Sequence, residues 1–132
     1  QYTRDVIANA QVLTAELVAG GMRAVTGGTD THLALLDLQG LGVSGKDAEQ
    51  RCGDSGIVLN KNSIPYDPAP PSVASGIRVG TPSVTTQGMG TDQMRQIGRL
   101  ITRAVTSDSA TVHAAVKGEV DELVAAFPAY PR

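Results

Sequence analysis

The sequence predicts a small α+β domain, with three or four short, mainly antiparallel strands and helices packed on one face. Three observations point there. Helical periodicity fills both ends of the chain. Short apolar runs broken by Gly and Pro fill its middle. The length of 132 residues, 41% of them apolar, fits a single domain over residues 1–132 with one core.

Residues 2–19 place Val6, Ala10, Leu13 and Leu17 at helical spacing, with Arg4, Asp5 and Glu16 off that stripe. Gly20-Gly21 stops the helix. Met22–Thr26 reads as a short strand and Gly27-Gly28-Thr29-Asp30 as a turn. His32–Leu38, HLALLDL, is a nearly continuous apolar run, as for a strand covered by helices on at least one face. Ser44 and Asp47 form a capping-box pattern opening a helix to about Cys52, with Gly53 near its end. Ile57–Leu59 reads as a third strand. NKNSIPYDPAPP holds four prolines and must be irregular. Ile77–Val79 reads as a fourth, buried strand, and Thr81-Pro82 suits the start of a helical turn. Two helices follow. Met94, Ile97, Leu100, Ile101 and Ala104 form one apolar face, and Val112, Val116, Val120, Leu123 and Phe127 form the other. Pro128 ends the second.

With one Phe, three Tyr and no Trp, the core must be built from Val, Ala, Leu and Ile. A net charge of −2 provides no strong field for nucleic acid or an anionic membrane, so neither is expected as a partner. No apolar run approaches the roughly 18 residues a membrane span requires, and no signal peptide is visible. Cys52 is the single cysteine and cannot form an internal disulfide, which fits a reducing, cytoplasmic setting. The chain opens on Gln1 with residues that read as mid-helix, so a portion of a longer protein is expected. Separated from that protein, it is expected to expose an apolar docking face on its first helix.

Several residues invite a chemical reading. Gly40–Lys46, GLGVSGK, matches a phosphate-binding loop, but Asp47 stands where the motif needs a hydroxyl for Mg²⁺. A carboxylate there repels phosphate and serves better as the helix-capping partner of Ser44. Asp30 and His32 have the residue types of a general base, yet no serine or cysteine nucleophile accompanies them, and a turn-capping role is the commoner outcome. With only His32 and His113, no metal site is expected. Cys52, on the apolar side of its helix, reads as packing. Lys46 and Lys61 read as solvated surface lysines. Asn60-Lys61-Asn62-Ser63 fits either a turn bonding its own backbone or a set of amides held for a heterocyclic ligand.

Arg78 is the sharpest candidate. A guanidinium between Ile77 and Val79 needs a counterion. One reading pairs it with Asp37 or Asp67. The other makes it a bidentate clamp for a ligand carboxylate or phosphate. Gly76 and Gly80 favour the clamp by leaving room near the backbone, with Ser75, Thr81 and the nearby prolines holding the fork.

The segments GGTDTHLALLDL, SGKDAEQRCGDSGIVLNKNSIPYDP and SGIRVGTPSVTTQGM resemble the C-terminal part of the serine hydroxymethyltransferase family, in order and over essentially the whole chain. The resemblance implies the small C-terminal domain of the aspartate-aminotransferase-like fold. It also implies a pyridoxal-phosphate enzyme that interconverts serine and glycine with transfer of a one-carbon unit to tetrahydrofolate. By the same resemblance Arg78 binds the substrate α-carboxylate and Asn62 lies at the folate pteridine. Ser63 and Pro65 shape that loop, and the Asp30/His32 signature is architectural. The lysine that holds the cofactor belongs to an earlier segment, and none of Lys46, Lys61 and Lys117 lies in its motif. No catalytic residue is therefore expected in this chain, which alone is expected to be inactive. Its expected partners are the cofactor-carrying N-terminal portion and further copies in a homodimer or tetramer. The chain departs from the family pattern at Thr31, Ser72, Ala74, Gln87 and Met89. Two alternatives stay open: a related aldolase or transaldolase acting on a β-hydroxy or α-substituted amino acid without folate, and a stand-alone module without catalysis.

Overall fold

A computed structural model of the chain describes residues 2–25, 33–57, 59–80 and 90–126. Asp30, Thr31, His32, Thr81-Pro82, Gln87, Met89 and Phe127-Pro128 lie outside the described residues.

The chain begins with helix α1, Tyr2–Ala19. Its end is a turn in which Gly21 adopts φ 109°, a left-handed conformation that glycine enters without a Cβ clash. The Gly21 and Met22 amides bond back to the Val18 and Leu17 carbonyls. Strands β1 (Arg23–Ala24) and β2 (Leu33–Asp37) follow, then a 3-10 turn at Gln39–Leu41. Helix α2 spans Gly45–Asp54, with strands β3 (Asn60–Asn62) and β4 (Gly76–Gly80) after it. Two further helices follow among the described residues, α3 (Thr91–Val105) and α4 (Ala110–Ala126).

The four strands form one antiparallel sheet in the order β1-β2-β4-β3. Side chains alternate across a pleated strand, so β4 presents two different faces. Ile77 and Val79 point with Leu36 into the core, where they meet Leu17, Cys52 and Ile101. Arg78 points the other way and is exposed. The buried strand read from Ile77–Val79 is thus buried on one face only.

Three further expectations change. The third strand lies at Asn60–Asn62 rather than Ile57–Leu59. Leu59 is instead buried in the core just before the strand. Asn60-Lys61-Asn62 is accordingly sheet edge, not turn, because pairing with β4 selects the register and an edge strand tolerates polar side chains. Of the apolar stripe of α1, Ala10, Leu13 and Leu17 are buried in the core and are not part of an open docking face. His113 is also internal, with its Nε2–H directed to the Ala104 and Ser107 carbonyls at 3.1 and 2.7 Å. It thereby caps the end of α3.

Among the described residues, no helix is long and apolar enough to cross a membrane.

Candidate functional site

The outer face of the sheet carries Arg78, Asn60 and Asn62 among the residues singled out in the sequence. Register places Leu35 and Asn60 directly opposite Arg78, on β2 and β3. Asn62 is opposite Gly76 and is therefore a diagonal neighbour of Arg78 on the same face, a spacing of about 7–8 Å. Arg78 and Asn62 are thus brought together. Ser63 and Pro65 are exposed just beyond β3, and the Asn62 side-chain amide donates to the Ser63 carbonyl at 2.9 Å.

Arg78 has neither of the internal counterions considered for it. Asp37 is held by Arg23, whose Nε and Nη2 donate to Oδ2 at 3.0 and 2.7 Å, and by the Gln39 amide at 2.9 Å. Asp67 accepts four hydrogen bonds: from the Ile64 and Ser75 amides on Oδ2, and from the Ala69 amide and the Ser75 hydroxyl on Oδ1. The other arginines with described side chains are engaged. Arg23, Arg95, Arg99 and Arg103 pair with carboxylates, and Arg51 donates to the Val105 carbonyl. Among the described residues, Arg78 alone of these guanidinia has no protein partner.

The space around Arg78 differs from expectation at Gly76. A Cβ there would lie 2.7 Å from the Leu36 carbonyl oxygen, 2.8 Å from Ile64 Cγ2 and 2.9 Å from the Asn62 carbonyl oxygen. The missing side chain accommodates the protein's own loop, not a ligand. Ile64 from the proline segment lies against β4 at this point.

Asp67 is the residue that sequence reasoning undervalued, having considered it only as a counterion for Arg78. Its bonds tie the loop that follows Asn62 to Ser75, the residue that leads into β4. The Ser75 hydroxyl is the main cause that lowers its pKa from 3.8 to about 2, and the amides of Ala69, Ile64 and Ser75 act in the same direction against partial desolvation. An Asp-Pro pair before a Ser was the only available sign, and such pairs usually mark no more than a turn. A depressed carboxyl stabilises the fold above its unfolded pKa, near 4, and loses that contribution as pH falls towards 2. Asp67→Asn should therefore destabilise the protein at neutral pH and flatten this part of its acid limb. Urea midpoints measured from pH 2 to 6 check this, and an acid limb identical to that of the unmutated protein would refute it.

The phosphate-loop look-alike is closed by its own bonds. Ser44 caps α2 by accepting from the Asp47 amide at 3.1 Å. The Gly45 and Lys46 amides donate to the Ala74 and Val73 carbonyls at 3.0 and 2.9 Å, and the Ala48 amide to the Ser44 carbonyl. Three of the amide donors that a helix start offers an anion, those of Gly45, Lys46 and Asp47, are thus used internally.

Nor do the lysines with described side chains offer a cofactor anchor. Lys61 pairs with Glu49, Lys117 pairs with Asp121, and Lys46 is exposed at the start of α2. Burial pushes the Cys52 thiol up to about 12, so it stays protonated and unreactive at neutral pH. Among the described residues, no group of three or more His, Cys, Asp or Glu side chains is placed to hold a metal ion.

Comparison with known proteins adds an independent line. The family model for serine hydroxymethyltransferase matches residues 1–101. The serine hydroxymethyltransferase of Desulforapulum autotrophicum is 48% identical over 130 residues, and that of Coprothermobacter proteolyticus 43% over 130 residues. Each alignment covers 98% of this chain and 31% of the relative, in its C-terminal part, so the chain spans about a third of the length of the curated relatives it matches. On these matches the chain belongs to the serine hydroxymethyltransferase family.

Proposed function

We propose that this chain forms the amino-acid-binding wall of a serine hydroxymethyltransferase whose pyridoxal phosphate is held by polypeptide outside it. The supporting observation is the Arg78 guanidinium, placed on an interior strand and left without a protein partner among the described residues. Its planar fork suits the α-carboxylate of serine or glycine bidentately. Binding the carboxylate fixes the orientation of Cα, so the contribution of Arg78 is positional. Asn62, one diagonal away, supplies amide groups for the tetrahydrofolate pteridine, with Ser63 and Pro65 setting the course of the loop.

The described residues do not fit pyridoxal phosphate itself, for want of an anchoring lysine, and no chemical step is assigned to this chain. When bound elsewhere in the enzyme, the cofactor supplies the electron sink. In this reading the chain alone is inactive, and the complete protein is a cytoplasmic homodimer or tetramer.

The test uses the full-length protein. Asn62→Ala should raise the KM for tetrahydrofolate about tenfold, as for a lost hydrogen-bonding group of roughly 1.4 kcal/mol, and change the KM for serine less than twofold. Cleavage of a β-hydroxy amino acid that ignores both folate and this substitution would replace the reading with a folate-independent aldolase. A full-length protein that never takes up pyridoxal phosphate would leave only a non-catalytic module.

A further inference from the structure

Arg23 has no place in the site as proposed, yet it lies on the same face of the sheet. It pairs across β1 and β2 with Asp37, and Asp37 is opposite Gly76. Asp37 is therefore a diagonal neighbour of Arg78 on the adjoining strand, within reach of a long side chain. The two groups are unequally buried: the Asp37 side chain is 6% exposed and the Arg23 side chain 64%. Arg23 thus contributes little to packing. Its clear contact is with the one carboxylate on this face that register places within reach of Arg78.

We propose that Arg23 is a positioning residue that keeps Asp37 engaged, so that the Arg78 guanidinium stays open to an incoming substrate carboxylate. The proposal rests on the reading of Arg78 as the carboxylate clamp. Without Arg23, Asp37 keeps only its Gln39 donors. Its charge is then uncompensated one diagonal from Arg78. An internal carboxylate competes with substrate at a high effective concentration set by the fold. Because the Arg78 guanidinium is exposed to solvent, the competition is modest, about fivefold in apparent affinity.

The experiment measures glycine and tetrahydrofolate KM values for the full-length protein and its R78A, R23A, D37N and R23A/D37N variants, at two salt concentrations. R23A should raise the amino-acid KM about fivefold, with kcat and the folate KM unchanged. The defect should shrink at high salt, where the stray charge is screened. D37N in the R23A background should restore the normal value, and D37N alone should not raise it. A purely structural role for Arg23 would show neither the rescue nor the salt dependence. If R78A weakens glycine binding and R23A does not, or if the double variant keeps the defect, the role of Arg23 is overturned and the clamp stands. If R78A leaves glycine affinity unchanged, the clamp fails and the role of Arg23 falls with it. Should R23A not fold, R23Q replaces it, keeping an amide donor for Asp37 but no charge, with the same expected direction.

Discussion

Replacing Arg78 with alanine should weaken glycine binding to the full-length protein by about 10- to 150-fold, while its unfolding midpoint stays in place. The affinity loss corresponds to a charge-assisted hydrogen-bond pair worth roughly 1.5–3 kcal/mol. The unchanged stability follows from exposure: Arg78 covers no core surface and has no partner among the described residues, and substitutions at such positions stay within about 0.5 kcal/mol. Arg78→Lys should recover only part of the affinity, because an ammonium lacks the planar fork that matches a carboxylate. Calorimetric titration with glycine, alongside a thermal melt, measures both quantities. Unchanged glycine affinity would rule out the clamp, and a collapsed melting temperature would make Arg78 a structural residue.

Gly45→Ala should have the opposite signature, a large loss of stability. A Cβ at Gly45 would strike the Gly76 carbonyl and lie 3.2 Å from Lys61 Cβ and 3.3 Å from the Val73 carbonyl oxygen. Two of these three are backbone atoms, which cannot swing aside. Relief requires α2 to back away from residues 73–76, stretching the bonds from the Gly45 and Lys46 amides. Overpacking and weakened hydrogen bonds together should lower stability by about 3 kcal/mol, a drop of roughly 10 °C in the melting midpoint. Gly53, in the same helix, has open space where its Cβ would go. Gly53→Ala should therefore stabilise by up to about 1 kcal/mol through helix propensity alone. Equal effects at the two positions would contradict close packing of α2 against the segment leading into β4.

The elements that were legible in the sequence have local causes. The α1 stripe, the Gly20-Gly21 stop, the Ser44 cap and the apolar run of β2 each depend on residues a few positions apart. What was missed depends on partners distant in the chain. Ile57–Leu59 has the more strand-like composition, but pairing with β4 selects Asn60–Asn62. Gly76 looked like room for a ligand because nothing in the sequence places Ile64 beside it. The hub at Asp67 gathers donors from residues 64, 69 and 75, a set with no periodic signature. Arg78 is a different case. The two-residue alternation Ile77-Arg78-Val79 already separates a core face from an outer face, and reading the triplet as wholly buried overlooked it. The candidate site was legible as residues, through Arg78 and Asn62, but its surroundings were not.

The closed start of α2 also bears on how the domain attracts anions. A helix start is normally a diffuse positive pole that draws in phosphates and carboxylates alike. Here that pole faces the Val73 and Ala74 carbonyls and is quenched inside the protein. On a domain whose formal charge is −2, a passing anion thereby finds little to hold it at that helix start, whereas a small planar acid meets in Arg78 a guanidinium that no partner among the described residues occupies.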